Sequence, residues 1–171
     1  MLQILSYFWQ LCLLRSSPAQ LPSSWFATSA VLGTYLIIAL SVVTFTRPTL
    51  SFPQVIATIT IGVSVQALVT FALLQYKDRV VRFTATWSAL LGANAVMLIV
   101  LLPFNYILLA SENTTLIAFA DSATWVCLGW WLAIAGYIYH KAVDVSVLQG
   151  SCIAFLVELM GVIIAVNLVN N

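Results

Sequence analysis

Residues Val145 to Val169, VSVLQGSCIAFLVELMGVIIAVNLV, contain a single charged residue, Glu158. About 20 mostly apolar residues in a helix, at about 1.5 Å each, cross the hydrocarbon core of a bilayer, and this stretch exceeds that length. It has too few polar positions to present a wet face, so it reads as a membrane-crossing helix. Composition agrees. The chain is 63% apolar and 6% charged, against about 45–50% and about 25% for soluble domains, and its mean hydropathy is +1.07.

Moving outward from this stretch, four more segments meet the same requirement: Trp25 to Phe45, Pro53 to Tyr76, Phe83 to Leu109, and Leu116 to Tyr139. Polar or turn-forming residues bound them. Ser23 and Ser24 precede the first, Arg47 and Pro48 follow it, Ser51 stands ahead of Pro53 as an N-cap, and Ser111 to Asn113 follow the third. The expected fold is therefore all-α, a polytopic membrane protein with a five-transmembrane-helix bundle over residues 25–171.

Orientation follows from the Lys and Arg residues in short loops, because cytoplasmic loops carry the excess. Five spans place the N-terminal segment, the second loop and the fourth loop on one side, with Arg15, Lys77, Arg79, Arg82 and Lys141; the other side has only Arg47. The N-terminus is expected in the cytoplasm and the C-terminus outside, in the periplasm if the membrane is a bacterial inner membrane. Trp25, Tyr76, Phe83, Trp87, Tyr137 and Tyr139 would then form the cytoplasmic aromatic belt, and Phe45, Phe52, Phe104 and Tyr106 the outer one.

Residues 1–24 form a separate unit. Met1 to Leu14 is apolar but too short to span, and Gln3, Ser6 and Gln10 recur at helical spacing, which predicts an interfacial amphipathic helix on the cytoplasmic leaflet. No basic residue precedes the apolar part and no convincing small-x-small cleavage site follows it, so the segment is expected to be retained. Pro18 to Pro22 then makes an extended elbow into the first span.

Glu158 is the one charge that neither a loop nor the outer edge of a span explains. An intramembrane carboxylate is costly, so it is a functional-site candidate by default. Helix rise places it about 20 Å from the cytoplasmic boundary, with Asn94 at about 16 Å and Gln66 at about 15 Å, close enough for the three to meet across spans five, three and two. Two roles fit that cluster. One is a proton or ion site in which Glu158 titrates and the amides orient it; the other is a protonated Glu158 hydrogen-bonded to Asn94 or Gln66, a polar pin between helices.

Other features carry simpler readings. Lys77, Asp78, Arg79 and Arg82 form the densest charge cluster, and with Arg15 they would contact anionic headgroups or a partner protein. Thr58 with Gly62, Ser88 with Gly92, Gly129 with Ala133, and Gly150 with Ala154 are small-residue pairs four apart, suited to close helix approach. Pro103 marks a kink or a helix end, and Asn105, Asp121 and Asn167 fall near the outer face as a possible second polar cluster. Asn113-Thr114-Thr115 matches a glycosylation sequon. Cys12, Cys127 and Cys152 are odd in number and irregularly spaced, which suggests neither a disulfide framework nor a metal site. Catalytic motifs of hydrolases, metalloproteases and P-loop ATPases do not occur, and a net charge of +1 argues against nucleic-acid binding.

Several stretches carry a family resemblance: Arg15-Ser16-Ser17-Pro18 with Leu21-Pro22-Ser23-Ser24, Arg82-Phe83 leading to Ala89-Leu90-Leu91-Gly92 and Pro103, and Trp131-Leu132-Ala133 running to His140-Lys141. With five spans and this orientation, the chain resembles short bacterial members of the Yip1-domain superfamily. The resemblance implies a non-enzymatic membrane protein that acts through contacts with other integral membrane proteins and phospholipids, without a cofactor or metal. The leading expectation is thus an accessory or scaffold protein; a small transporter or channel subunit centred on Glu158 is the alternative.

Overall fold

The computed structural model describes residues 8–14 and 24–169. A short helix α1 (residues 8–12) is followed by α2 Trp25–Thr46, α3 Phe52–Tyr76, α4 Phe83–Ala110, α5 Thr114–Val143 and α6 Val147–Val169, with a 3-10 turn, Val80–Arg82, leading into α4. Helices α2 to α6 are each long and apolar enough to cross a membrane, and the chain is an integral multi-pass membrane protein with an all-α fold. Arg15, the Pro18 to Pro22 elbow and the terminal Asn170 and Asn171 lie outside the described residues.

Local chemistry sets the helix ends. Ser51 is the N-cap of α3, and its backbone N–H donates to Gln54 Oε1 at 2.9 Å, a capping box with Pro53 at the start of the helix. Ser146 and Gln149 repeat the arrangement ahead of α6. Asn113 caps α5 by accepting from the Thr115 amide at 3.0 Å. The fourth span continues past its expected end at Tyr139, because His140, Lys141 and Ala142 are all compatible with a helix; Asp144, at φ 54°, stops it. Pro103 lies inside α4, so it does not end that helix. A proline tolerated there forgoes one backbone hydrogen bond.

Chain order is not packing order. Helix α2 lies mainly on α4, α4 on α5, α5 on α6, and α6 on α3, while α2 and α3 touch only slightly. Small residues make two of these contacts possible. A Cβ on Gly150 would run into the Gly136 carbonyl, and Ser151 Oγ beside it donates to Leu132 O at 2.9 Å, so α5 and α6 meet backbone to backbone. On the other side of α6, a Cβ on Gly161 would meet Gly62 Cα of α3 at 3.6 Å. Gly129 points into open space instead.

Helix α1 packs one face against the bundle, while Trp9, Gln10, Leu13 and Leu14 stay exposed. Phe8, Leu11 and Cys12 are buried, the Phe8 ring fills the space over Gly92, and Trp130 Nε1 donates to Cys12 O at 2.9 Å. Counting helix rise from the α4 and α5 ends, those contacts lie about 14–20 Å deep. Gln3 and Ser6, which carry the polar stripe of the expected interfacial helix, lie outside the described residues. The apolar face at Phe8, Leu11 and Cys12 finds a slot of small residues, Ala89, Gly92 and Ala93, which accept it as protein core in place of lipid.

Candidate functional site

The two ends of the bundle differ. The end with the α3–α4 and α5–α6 loops is closed by buried Leu74, Leu90, Ile134, Ile138 and Tyr139. Two buried hydrogen bonds tie helices together there: Thr70 to Tyr139 at 2.9 Å, and Ser88 Oγ to Thr28 Oγ1 at 2.9 Å. Toward the Arg47 end the helices part around two cavities, one of about 400 Å³ and one of about 530 Å³.

Glu158, Gln66 and Asn94, expected at one depth, all line the first cavity, together with Tyr35, Asp121 and Trp131. Glu158 and Tyr35 also line the second. Helix rise puts Tyr35, Gln66, Asn94, Trp131 and Glu158 within about 15–18 Å of the sealed end, so they form the floor. Asp121, about 10 Å below the opposite end, stands nearer the mouth. Glu158 is accessible because it faces cavity, and Tyr35 is within electrostatic reach of it.

The hydrogen bonding is selective. Asn94 Oδ1 accepts from Trp131 Nε1 at 2.7 Å, which ties α4 to α5. The pin expected between Glu158 and an amide is absent: no hydrogen bond or ion pair reaches the Glu158 carboxyl from any described residue. Gln66 is buried on the cavity wall. A bare carboxylate is expensive in a membrane interior, and a bound proton or cation removes that cost.

Two of the loop cations, Arg79 and Arg82, make contacts within the chain, and Lys77 and Arg82 remain exposed. Arg79 pairs with Asp144 at 2.5 Å, joining the α3–α4 turn to the α5–α6 turn. That hydrogen bond and charge hold the exposed Asp144 carboxyl below its ordinary range. Arg82 donates to the carbonyls of Lys141 and Ala142 at 3.3 and 3.4 Å, where a cation also suits the C-terminal end of α5. His140 Nδ1 bonds the Val145 carbonyl at 2.6 Å. Lys77 stays near the Tyr76 ring, 6.0 Å from its centroid. Asn105, Asp121 and Asn167 do not gather: Asn105 lines the second cavity, Asp121 the first, and Asn167 Nδ2 donates to Ile163 O within its own helix.

Tyr35, Trp131 and Asp121 complete the site, and none was singled out for it from sequence. The available signal was Trp131 itself. An indole N–H at mid-span, away from the interface, needs an acceptor on a neighbouring helix.

Fold and site together define a multi-pass membrane protein with a polar floor at mid-bundle. Comparison with protein-family models, curated proteins and solved structures finds no match.

Proposed function

We propose that the protein is a small, non-enzymatic transporter or channel subunit that holds a proton or small monovalent cation at Glu158. One observation carries this reading. The helices are pinned by Trp131 with Asn94, Thr70 with Tyr139, Ser88 with Thr28 and Ser151 with Leu132, while Glu158 faces both cavities without a partner among the described residues. A carboxyl retained only for helix packing would be expected to take part in such a bond. Gln66 and the Tyr35 hydroxyl supply neutral oxygens on the same floor, suited to orienting a bound cation. The membrane is a bacterial inner membrane in this reading, with the sealed end cytoplasmic and the cavities reached from the Arg47 side.

The test is flux into proteoliposomes containing the full chain. Glu158→Gln should abolish proton- or sodium-coupled flux without loss of folded protein, since the amide keeps the shape and loses the charge. Wild-type flux in the Gln variant would overturn the reading.

A second reading is the accessory or scaffold role that the Yip1-like resemblance implies. The outward face of α5 favours it: Gly129 is open and lies beside exposed Trp125 and Val126, a notch suited to a helix of another membrane protein. Pull-down in mild detergent with Gly129→Leu as control separates the two readings. A stoichiometric membrane partner lost in that variant, with no flux from the isolated protein, would favour the scaffold.

A further inference from the structure

The second cavity is a groove bounded by α2, α3, α4 and α6, beside which α2 and α3 scarcely touch. Its walls carry Val42 and Val43 on α2, Ile59 on α3, and Val162 and Val166 on α6, with Thr46, Thr58 and Asn105 among them and Glu158 and Tyr35 at the floor. Small residues leave the space: Ala39, Gly62, Gly161 and Ala165 line it where larger side chains would close it. At its outer rim stands Arg47, exposed and without an ion pair among the described residues. A cation at headgroup level above a slot of about 530 Å³, within the range of ligand-sized pockets, complements one kind of molecule.

We propose that this groove binds an anionic glycerophospholipid, with its phosphate at Arg47 and one acyl chain lying between α2 and α3 toward Gly62. Charge selects the headgroup and the apolar side chains of the walls hold the tail. The site does not depend on cation binding at Glu158: it needs only the rim and the walls.

Phosphatidylglycerol with a photoactivatable group on one acyl chain tests the assignment, using the full chain in nanodiscs. Cross-links should concentrate on residues 39–47, 58–62 and 157–166, and unlabelled phosphatidylglycerol should compete better than phosphatidylcholine by about fivefold, the ratio expected for one basic residue at a headgroup. Arg47→Gln, on the surface and safe for folding, should erase that preference while leaving acyl cross-links in place. Val162→Trp should reduce the groove cross-links by filling the slot. Cross-links spread evenly over other exposed residues such as Phe119 and Val126, equal competition by the two lipids, or cross-links to a second polypeptide seated in the groove would each overturn the proposal.

Discussion

Trp131 and Asn94 show how one side chain determines what another is free to do. Their bond, at 2.7 Å, uses one of the two side-chain amides that the sequence offers to Glu158. Trp131→Phe should therefore cost about 1 kcal/mol of stability, the usual worth of an interhelix hydrogen bond in a membrane, and release Asn94 toward the cavity. Thermal unfolding in detergent reads the cost. A neutral change would mean that the bond does not hold α4 to α5. The common depth of Glu158, Asn94 and Gln66 was legible because helix rise is fixed. Their partners were not, because these helices are apolar nearly all round and no stripe says which way each one is turned. Rotation is set by packing, and packing depends on residues far away in sequence.

Among elements, close approach at glycine and the seat of α1 make the sharpest claims. Gly150→Val would push a branched side chain into the Gly136 backbone, so it should separate α5 from α6 at a cost of about 1–3 kcal/mol. Gly33→Ala, where a Cβ meets nothing within 4 Å, should be neutral or slightly stabilising. Equal melting temperatures for the two variants would contradict the helix packing described. For α1, Cys12 is fully buried whereas Leu13 is exposed. In a background lacking the other cysteines, a membrane-permeant maleimide should label Leu13→Cys, with Cys12 replaced, much faster than it labels Cys12 alone; equal rates would mean that this face of α1 is not packed against the bundle. The polar spacing of Gln3, Ser6 and Gln10 was visible in sequence. The slot that takes Phe8 was not, since Ala89, Gly92 and Ala93 lie some eighty residues away and acquire meaning only once α4 and α5 are side by side.

At the scale of the whole molecule, one end is tied and the other is open. The Arg79–Asp144 pair joins two turns at the tied end. Asp144 is held below its ordinary range when paired, so the clamp is complete above the usual carboxylate range and is lost only as pH falls through that depressed value. Hydrogen exchange in residues 77–82, corrected for intrinsic rates, should stay constant from neutral to mildly acidic pH and rise in strong acid. Asp144→Asn should raise it throughout, and protection unchanged in that variant would show the pair to be idle. The open end exposes both cavities, whose shared floor is Glu158 and Tyr35. The number of spans was plain from apolar length. The cavities were not, because a void arises where α2 and α3 fail to meet, and no residue announces the absence of a contact. The most direct test of a titratable, unpartnered Glu158 is mass-spectrometric mapping of a hydrophobic carbodiimide, which modifies protonated carboxyls, on the full chain in membranes. Modification at Glu158 that declines as pH rises or as sodium is added is the expected result. A Glu158 that stays unmodified at every pH, with the reagent reacting at other carboxyls, would contradict the account.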